Sequence, residues 1–303
     1  MPIQVNRNYP PIVSIGMPVY NGEEYIREAL DSLLAQTFED FELIISDNCS
    51  TDDTSSICKE YSSRNSRIKY IRQDTNIGVN ANFEFVLKQA NGDFFMWAAC
   101  DDYLEHTEYL SVMFNEIQAG YDFCFPKVRL LSDSGGSRTI IDGTMERFSK
   151  CVSAYDFCKE TIYVCSYQIY GLYNRKFLFE NFNYFRKCIN LRLFAEGLFV
   201  HAITVNSLLA YVPAASLVYR RHGDNTSSTQ KTNHLLIDFT KFTFMLLSFY
   251  VVHQKFNFVQ KLSILLRIFL VHGKYSFILF YGYLTQIKRN LFKVFNLNLS
   301  NSK

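Results

Sequence analysis

Two rhythms of apolar and polar positions alternate along residues 12–125. Ile12–Met17 is a β-branched run ended by Pro18, which predicts a buried strand. Asn21-Gly22 makes a turn. Tyr25, Ile26, Ala29, Leu30, Leu33 and Leu34 then recur at a helical period, with Glu23 and Glu24 in the first turn, where the helix dipole favours acids. The exchange repeats. Strands are predicted at Phe41–Ser46, Ile68–Arg72, Asp93–Ala98 and Tyr121–Phe125. Helices are predicted up to Ser62, over Gly78–Ala90 and over Thr107–Ala119. Such β-α alternation with short connections predicts an α/β fold, a doubly wound, mostly parallel sheet flanked by helices.

Ligands of such sheets bind outside the carboxyl ends of the strands. Three polar clusters fall there: Pro18–Gly22, Asp47–Asp53 and Asp101-Asp102. They can meet at one site although they are distant in sequence.

Beyond residue 125 the pattern is weaker. Val128–Ser132 and Arg138–Ile141 flank a Gly-rich turn and predict a hairpin. Cys151–Asn190 reads poorly, with a short helix expected over Arg175–Asn181. Glu196–Leu208 predicts a helix, and Ala210–Val212 and Ser216–Tyr219 predict strands. Three apolar segments with lone basic residues follow: Asn233–His253, Phe256–Val271 and Tyr275–Phe295. Their longest charge-free stretches are 13 residues, short of the roughly 20 a membrane span needs. The expected division is a body, 1–230 (halves 12–125 and 126–230), and a helical tail, 231–303.

Charge sharpens that division. The 303 residues have a net charge of +2, which argues against a general nucleic-acid binder. The tail alone holds ten Lys and Arg against one acid, Asp238, leaving the body at −7 and the tail at +9. The tail also carries 15 of the 49 aromatic residues. A basic, aromatic, apolar segment of this kind is expected at an anionic membrane surface, lying in the interface rather than crossing it, the alternative being a small helical subdomain packed on the body. The first eleven residues have no apolar signal-peptide core, and the eight cysteines form no CxxC pair. Free thiols in a reducing cytosol are therefore expected, with the chain peripheral on the inner face of the cytoplasmic membrane.

The candidate chemistry lies in the polar clusters. Adjacent carboxylates at Asp101-Asp102 repel unless a positive group shares them, and a hard divalent cation bridging to phosphate is the usual solution. Asp47 and Asn48 at a strand tip can accept hydrogen bonds from a nucleobase or ribose. Ser50, Thr51 or Asp52 can instead cap the next helix.

These residues stand in an order that resembles the nucleotide-sugar half of inverting glycosyltransferases of family 2, bacterial polysaccharide-type, with the GT-A fold. The resemblance rests on Val13–Asn21, Ile26–Phe38, Phe41–Asp52, Asn76-Ile77-Gly78 and Cys100-Asp101-Asp102. It implies a nucleoside diphosphate sugar donor and a divalent metal, Mn²⁺ or Mg²⁺. Pro18 and Tyr20 would line the base pocket with Asp47 and Asn48. Asp101 would bind ribose or assist at the metal, and Asp102 would bind the metal. More weakly, the resemblance places a catalytic base at Glu196, a metal ligand at His222 and a phosphate clamp at Arg220 or Arg221, with Arg221 preferred. The acceptor it implies is a saccharide or lipid-linked saccharide in cell-envelope polysaccharide synthesis. The chain departs from the family at Asn48, often Asp, and at Ala99, where the family often has a further Asp. Those departures, with Glu196 in place of the usual Asp, admit the alternative of a catalytically weak nucleotide-sugar-binding or scaffold protein.

Overall fold

The structure is a computed structural model, described over residues 9–134, 137–142, 154–161, 166–188, 195–205, 207–222, 243, 245–247 and 256–270. Its first half follows the predicted rhythm: β1 (Val13–Val19), α1 (Ile26–Leu34), β2 (Phe41–Asp47), α2 (Thr54–Arg64), β3 (Ile68–Arg72), α3 (Val79–Lys88) and β4 (Phe94–Trp97). The four strands are parallel, in the order β3-β2-β1-β4. β1 and β2 are buried on both faces, which is why they read as nearly unbroken apolar runs. Helix α1 turns Ile26, Ala29, Leu30 and Leu33 inward, the stripe its spacing predicts. Gly16 lets α3 approach β1. A Cβ there would come within 2.7 Å of both the Phe95 ring and Val86.

The second half is mixed. It comprises β5 (Tyr103–Leu104), α4 (Tyr109–Ile117), β6 (Phe123–Ser134), β7 (Ser137–Asp142), α5 (Ala154–Thr161), a 3₁₀ turn (Ser166–Tyr170), β8 (Leu172–Asn174), α6 (Arg175–Cys188), α7 (Ala195–Thr204) and β9 (Leu209–Arg221). The sheet continues from β4 as β8-β6-β9-β5, with β7 on β6. β6 and β9 are parallel, while β8, β7 and β5 join antiparallel. The predicted hairpin is β6–β7, closing at Ser134 opposite Ser137.

Three expectations change. The fifth predicted strand runs on well past Phe125 into the hairpin. The helix expected to stop at Asn181 continues to Cys188. The two strands expected at 210–219 are one, β9. Its register on β6 jumps from Pro126↔Val212 to Lys127↔Ser216, so Pro213–Ala215 form a bulge. Proline has no N–H for the ladder, and a bulge is where a strand tolerates it.

The two halves share one core. Trp97, the only tryptophan, meets Phe95, Tyr173 and Phe199 edge-on, lies over Phe182, and donates from Nε1 to the Phe83 carbonyl at 3.1 Å. A second, smaller core joins Cys158 of α5 and Val205 to Leu246, Phe256, Ile264 and Ile268. This part of the predicted tail, including a helix over residues 258–270, is therefore packed on the body. The segment Tyr275–Phe295 and most of Asn233–His253 lie outside the described residues. No helix among the described residues is long and apolar enough to cross a membrane.

Cys49, Cys58, Cys100, Cys124 and Cys158 are free thiols. Burial pushes the Cys58 and Cys124 thiols up to about 12, so both act as small apolar residues. Cys158 is buried, while Cys151 and Cys165, seven residues to either side of it, lie outside the described residues.

Candidate active site at the carboxyl edge of the sheet

The loops after β1 and β2 are laced together. The Asn21, Gly22 and Glu23 amides donate to Ser50 Oγ, Thr54 Oγ1 and Asp52 Oδ2. In return, the Thr51 and Asp53 amides donate to Asn21 Oδ1 and Glu23 Oε2. Asn21 and Cys49 both hold positive φ, 51° and 64°, a conformation that favours glycine and asparagine. The N-cap of α2 is Asp53, not one of the residues expected there, and its side chain makes no capping bond; Asp52, one residue earlier, accepts from the Thr54 amide at 3.1 Å in a local turn. Hydrogen bonds to Thr54 and to the Glu23 amide outweigh its partial burial and hold its carboxyl below the usual range.

Asp47 ends β2 fully buried, with three donors around it. Tyr70 Oη, Arg72 and the Ser50 amide each lie at 2.8 Å. Arg72 also donates to the Ser50 carbonyl at 2.8 Å, tying the loop to β3. Asn48 is equally committed. Its Nδ2 donates to Asn76 Oδ1 at 2.9 Å, and its Oδ1 accepts from the Ile77 amide at 2.8 Å. Both side chains thus spend these hydrogen bonds on the surrounding loops and on β3. Tyr20 is 48% exposed on the open side, and Pro18 sits one residue before the end of β1.

The opposite wall forms where the halves meet. Asp101-Asp102 precede β5, and β5 pairs with β9 through Tyr103↔Val218 and Leu104↔Leu217. That pairing brings the Arg220 amide to Asp102 Oδ1 at 2.9 Å, Arg220 Nε to the Asp101 carbonyl at 3.0 Å, and His222 Nε2 to Asp101 Oδ2 at 3.0 Å. Arg220 is itself buried. It ion-pairs with Glu28 of α1 and lies over the Tyr25 ring, 4.6 Å from its centre. The His222 ring sits 4.7 Å from the same tyrosine. Of the two candidate clamps, Arg220 is thus built into the scaffold of the site.

Asp102 is 4% exposed, and its Oδ2 has no hydrogen-bond partner. Burial, then the neighbouring Asp101 carboxylate, raises its pKa well above the usual carboxylate range, against the pull of Arg220. An orphaned carboxylate oxygen is costly and marks a place where a ligand completes the site. No group of three His, Cys, Asp or Glu side chains is arranged to hold a metal among the described residues. The donors present still fit a hard cation that fills its remaining positions with phosphate or water: the Asp102 oxygen, with the Asp101–His222 pair beside it. Ala99 lines a small cavity with Asp102, Tyr103 and Tyr170.

Glu196 is the second residue of α7, and Arg221 is the last residue of β9. Both side chains lie outside the described residues. Sequence reading missed Tyr25, Glu28, Tyr70 and Arg72 as parts of the site, because each reads as an ordinary helix or strand position. Gln168, on the 3₁₀ turn, is buried with neither amide atom hydrogen-bonded. Nothing in the sequence marks it.

Residues 14–180 match the family model for glycosyl transferase family 2, more than half of the chain. The chain belongs to that family. Over 233 residues it is 26% identical to glycosyltransferase GlyA of Streptococcus pneumoniae, a match covering 75% of this chain and 33% of GlyA. It is 42% identical over 128 residues to the uncharacterized protein Mb1547 of Mycobacterium bovis, covering 41% of this chain and 36% of that protein. The chain spans about a third of the length of these relatives. Among solved structures it resembles Staphylococcus aureus TarS 1–349 in complex with UDP-GlcNAc, with a TM-score of 0.69 and 23% identity, covering 87% of this chain and 73% of that one. It also resembles the mannosyltransferase PcManGT of Pyrobaculum calidifontis in complex with GDP-Man and Mn²⁺, with a TM-score of 0.51 and 15% identity, covering 77% and 64%. At these identities the structural likeness establishes the α/β fold of the GT-A type.

Proposed function

We propose that this family 2 chain transfers a sugar, with inversion, from a nucleoside diphosphate sugar to a hydroxyl of a saccharide or lipid-linked saccharide in cell-envelope polysaccharide synthesis. The observation that carries this is the orphaned, buried Asp102 oxygen at the carboxyl edge of the sheet, beside the Asp101–His222 pair. The donor complexes of TarS and PcManGT support a nucleotide-sugar donor.

In this reading Pro18 and Tyr20 receive the base, in a pocket whose wall Asp47 and Asn48 hold rigid. Asp101 faces the ribose and diphosphate side. Asp102 and His222 would hold Mn²⁺ or Mg²⁺, and Arg221 would contact the diphosphate. The metal, when bound, supplies positive charge that offsets the charge developing on the leaving diphosphate. Glu196, at the start of α7, takes the proton from the acceptor hydroxyl as its oxygen bonds to the anomeric carbon. The bond from that carbon to the diphosphate oxygen breaks, and the pair of electrons leaves with the nucleoside diphosphate. The transition state has oxocarbenium character, and attack from the opposite face inverts the anomer. The tail, 231–303, would hold the body, 1–230, at the inner face of the cytoplasmic membrane, where a lipid-linked acceptor is presented.

The test is Glu196→Gln, assayed for donor binding and for transfer. Loss of a general base should lower kcat on the order of 10²–10⁴-fold. Donor affinity should stay unchanged. Full activity in the variant refutes the role of Glu196. Metal-dependent donor binding by the wild type without transfer to any saccharide or lipid-linked acceptor would instead support the scaffold reading, which Ala99 favours.

A further inference from the structure

Residues 258–270 form a helix that is apolar on two sides. Its inner side seats Ile264 and Ile268, both fully buried, against Cys158, Val205, Leu246 and Phe256. Its outer side presents Phe258, Val259, Leu262, Leu266, Phe269 and Leu270, each between 45% and 78% exposed. The spacing of three and four residues sets these six on one face. A helix on a water-facing surface needs only the inner stripe, with polar residues opposite. Scattered single apolar residues are ordinary at a surface, but six on one face of a short helix form a patch that marks an interaction site.

We propose that this face docks into the headgroup boundary of an anionic lipid bilayer. Three observations choose the bilayer. The thirteen residues span about 20 Å, so the helix can lie in the interface but falls short of the roughly 30 Å hydrocarbon core. Its only charged residues are Lys261 and Arg267, and residues 231–303 carry ten basic residues against one acid, which complements anionic lipid. Pairing two copies through this face would bring two such basic tails together, and like charges oppose that. The inner stripe fixes the helix beside α5 and the end of α7. Docking therefore holds the half of the chain that carries Glu196 against the surface. The inference sharpens the membrane part of the proposed function and rests on that reading only for the identity of the acceptor.

The test uses the full chain and extruded vesicles, either phosphatidylcholine alone or phosphatidylcholine with phosphatidylglycerol. The wild type should co-sediment with the anionic vesicles, less so as salt is added. The triple variant Leu262→Glu, Leu266→Glu, Phe269→Glu should lose at least tenfold in partition, with its thermal unfolding and its nucleotide-sugar hydrolysis unchanged. These positions are exposed, so the fold should survive. If the triple variant unfolds, Leu266→Gln alone reads the same partition with a smaller loss. Equal partition of the wild type and a folded variant overturns the assignment of this face. Failure of the wild type to bind any vesicle overturns docking. A wild type that dimerises without binding vesicles, beside a monomeric variant, gives the face to a second copy. Intact vesicle binding by a protein inactive on every nucleotide sugar leaves the docking face standing and overturns the transfer reading.

Discussion

Two buried aspartates stand at strand ends of one sheet in opposite states. Asp47 closes β2 with an aromatic hydroxyl, a guanidinium and a backbone amide all donating to it. Asp102, ahead of β5, has one backbone amide on Oδ1 and nothing on Oδ2, with Asp101 next to it. Both carboxylates have lost water, and folding compensates only the first. A satisfied buried charge rigidifies its surroundings, whereas an unsatisfied one costs stability unless a ligand completes it. The N-terminal wall of the site is thus finished by the fold. The wall formed by β5 and β9 keeps a buried carboxylate oxygen that the fold leaves without a hydrogen-bond partner.

The sharpest way to break this comparison is Asp102→Asn. Removing the charge should lower metal-dependent transfer by at least about 10²-fold, the scale of several kcal/mol of lost charge stabilisation. The same change should raise the thermal stability of the ligand-free protein at neutral pH, by about 1 kcal/mol, because an under-solvated charge beside Asp101 is gone. The sign follows from linkage. A carboxyl whose folded pKa lies above its unfolded value stabilises the fold when protonated. That stability is full below the unfolded value, about 3.9, and is lost as pH rises from there through the folded pKa. Stability of the ligand-free wild type should therefore fall over that window, relative to Asp102→Asn. Calorimetry of both proteins across pH, with and without Mn²⁺, reads this directly. A variant less stable at every pH would make Asp102 structural, like Asp47.

Asp47→Ala should do the reverse. It strips three donors of their acceptor, and hydrogen bonds to a charged group are worth about 1.5–3 kcal/mol each. Arg72 is 38% exposed and can turn to water, so the expected loss is about 2–3 kcal/mol, well short of that of a fully buried ion pair. Unfolding should shift down by several degrees with or without donor. Donor affinity should fall as well, through a loosened pocket wall. A variant with wild-type stability and reduced donor affinity would recast Asp47 as a pure ligand contact.

The same contrast separates what the sequence disclosed from what it hid. The four parallel strands and their helices were legible because each repeats a local pattern. Pro18–Gly22, Asp47–Asp53 and Asp101-Asp102 were legible as a convergent set because strand ends in such a sheet share an edge. The hairpin turn was equally local. The other wall is built from distant pairs. Glu28 and Arg220 are 192 residues apart, and Arg220 reaches Asp102 only because β5 pairs with β9. No periodicity encodes such a contact, so nothing in the pattern ties Arg220 to Glu28 or Asp102, and Tyr25 read as a helix position. The β9 bulge broke one strand into two short apolar runs, and Gln168 fell in a stretch with no pattern at all.

The smallest effect tests the finished wall at Asn48, where the family often has Asp. Here the amide works in both directions. It donates to Asn76 Oδ1 and accepts from the Ile77 amide. Asn76 Oδ1 also accepts from the Gly78 amide at 2.9 Å, so Asn76 cannot turn its NH₂ toward Asn48 without giving up that bond. A carboxylate at position 48 would keep the bond from Ile77 and face an acceptor in place of a partner. Asn48→Asp should therefore cost about 1 kcal/mol, one neutral hydrogen bond. The double variant Asn48→Asp, Asn76→Ala should cost less than the sum of the two single changes, because the clash needs both oxygens. Chemical denaturation of the four proteins measures that coupling. Strict additivity would mean that Asn48 holds the loop through Ile77 alone, and that the family's Asp is as compatible with this pocket as the Asn that stands here.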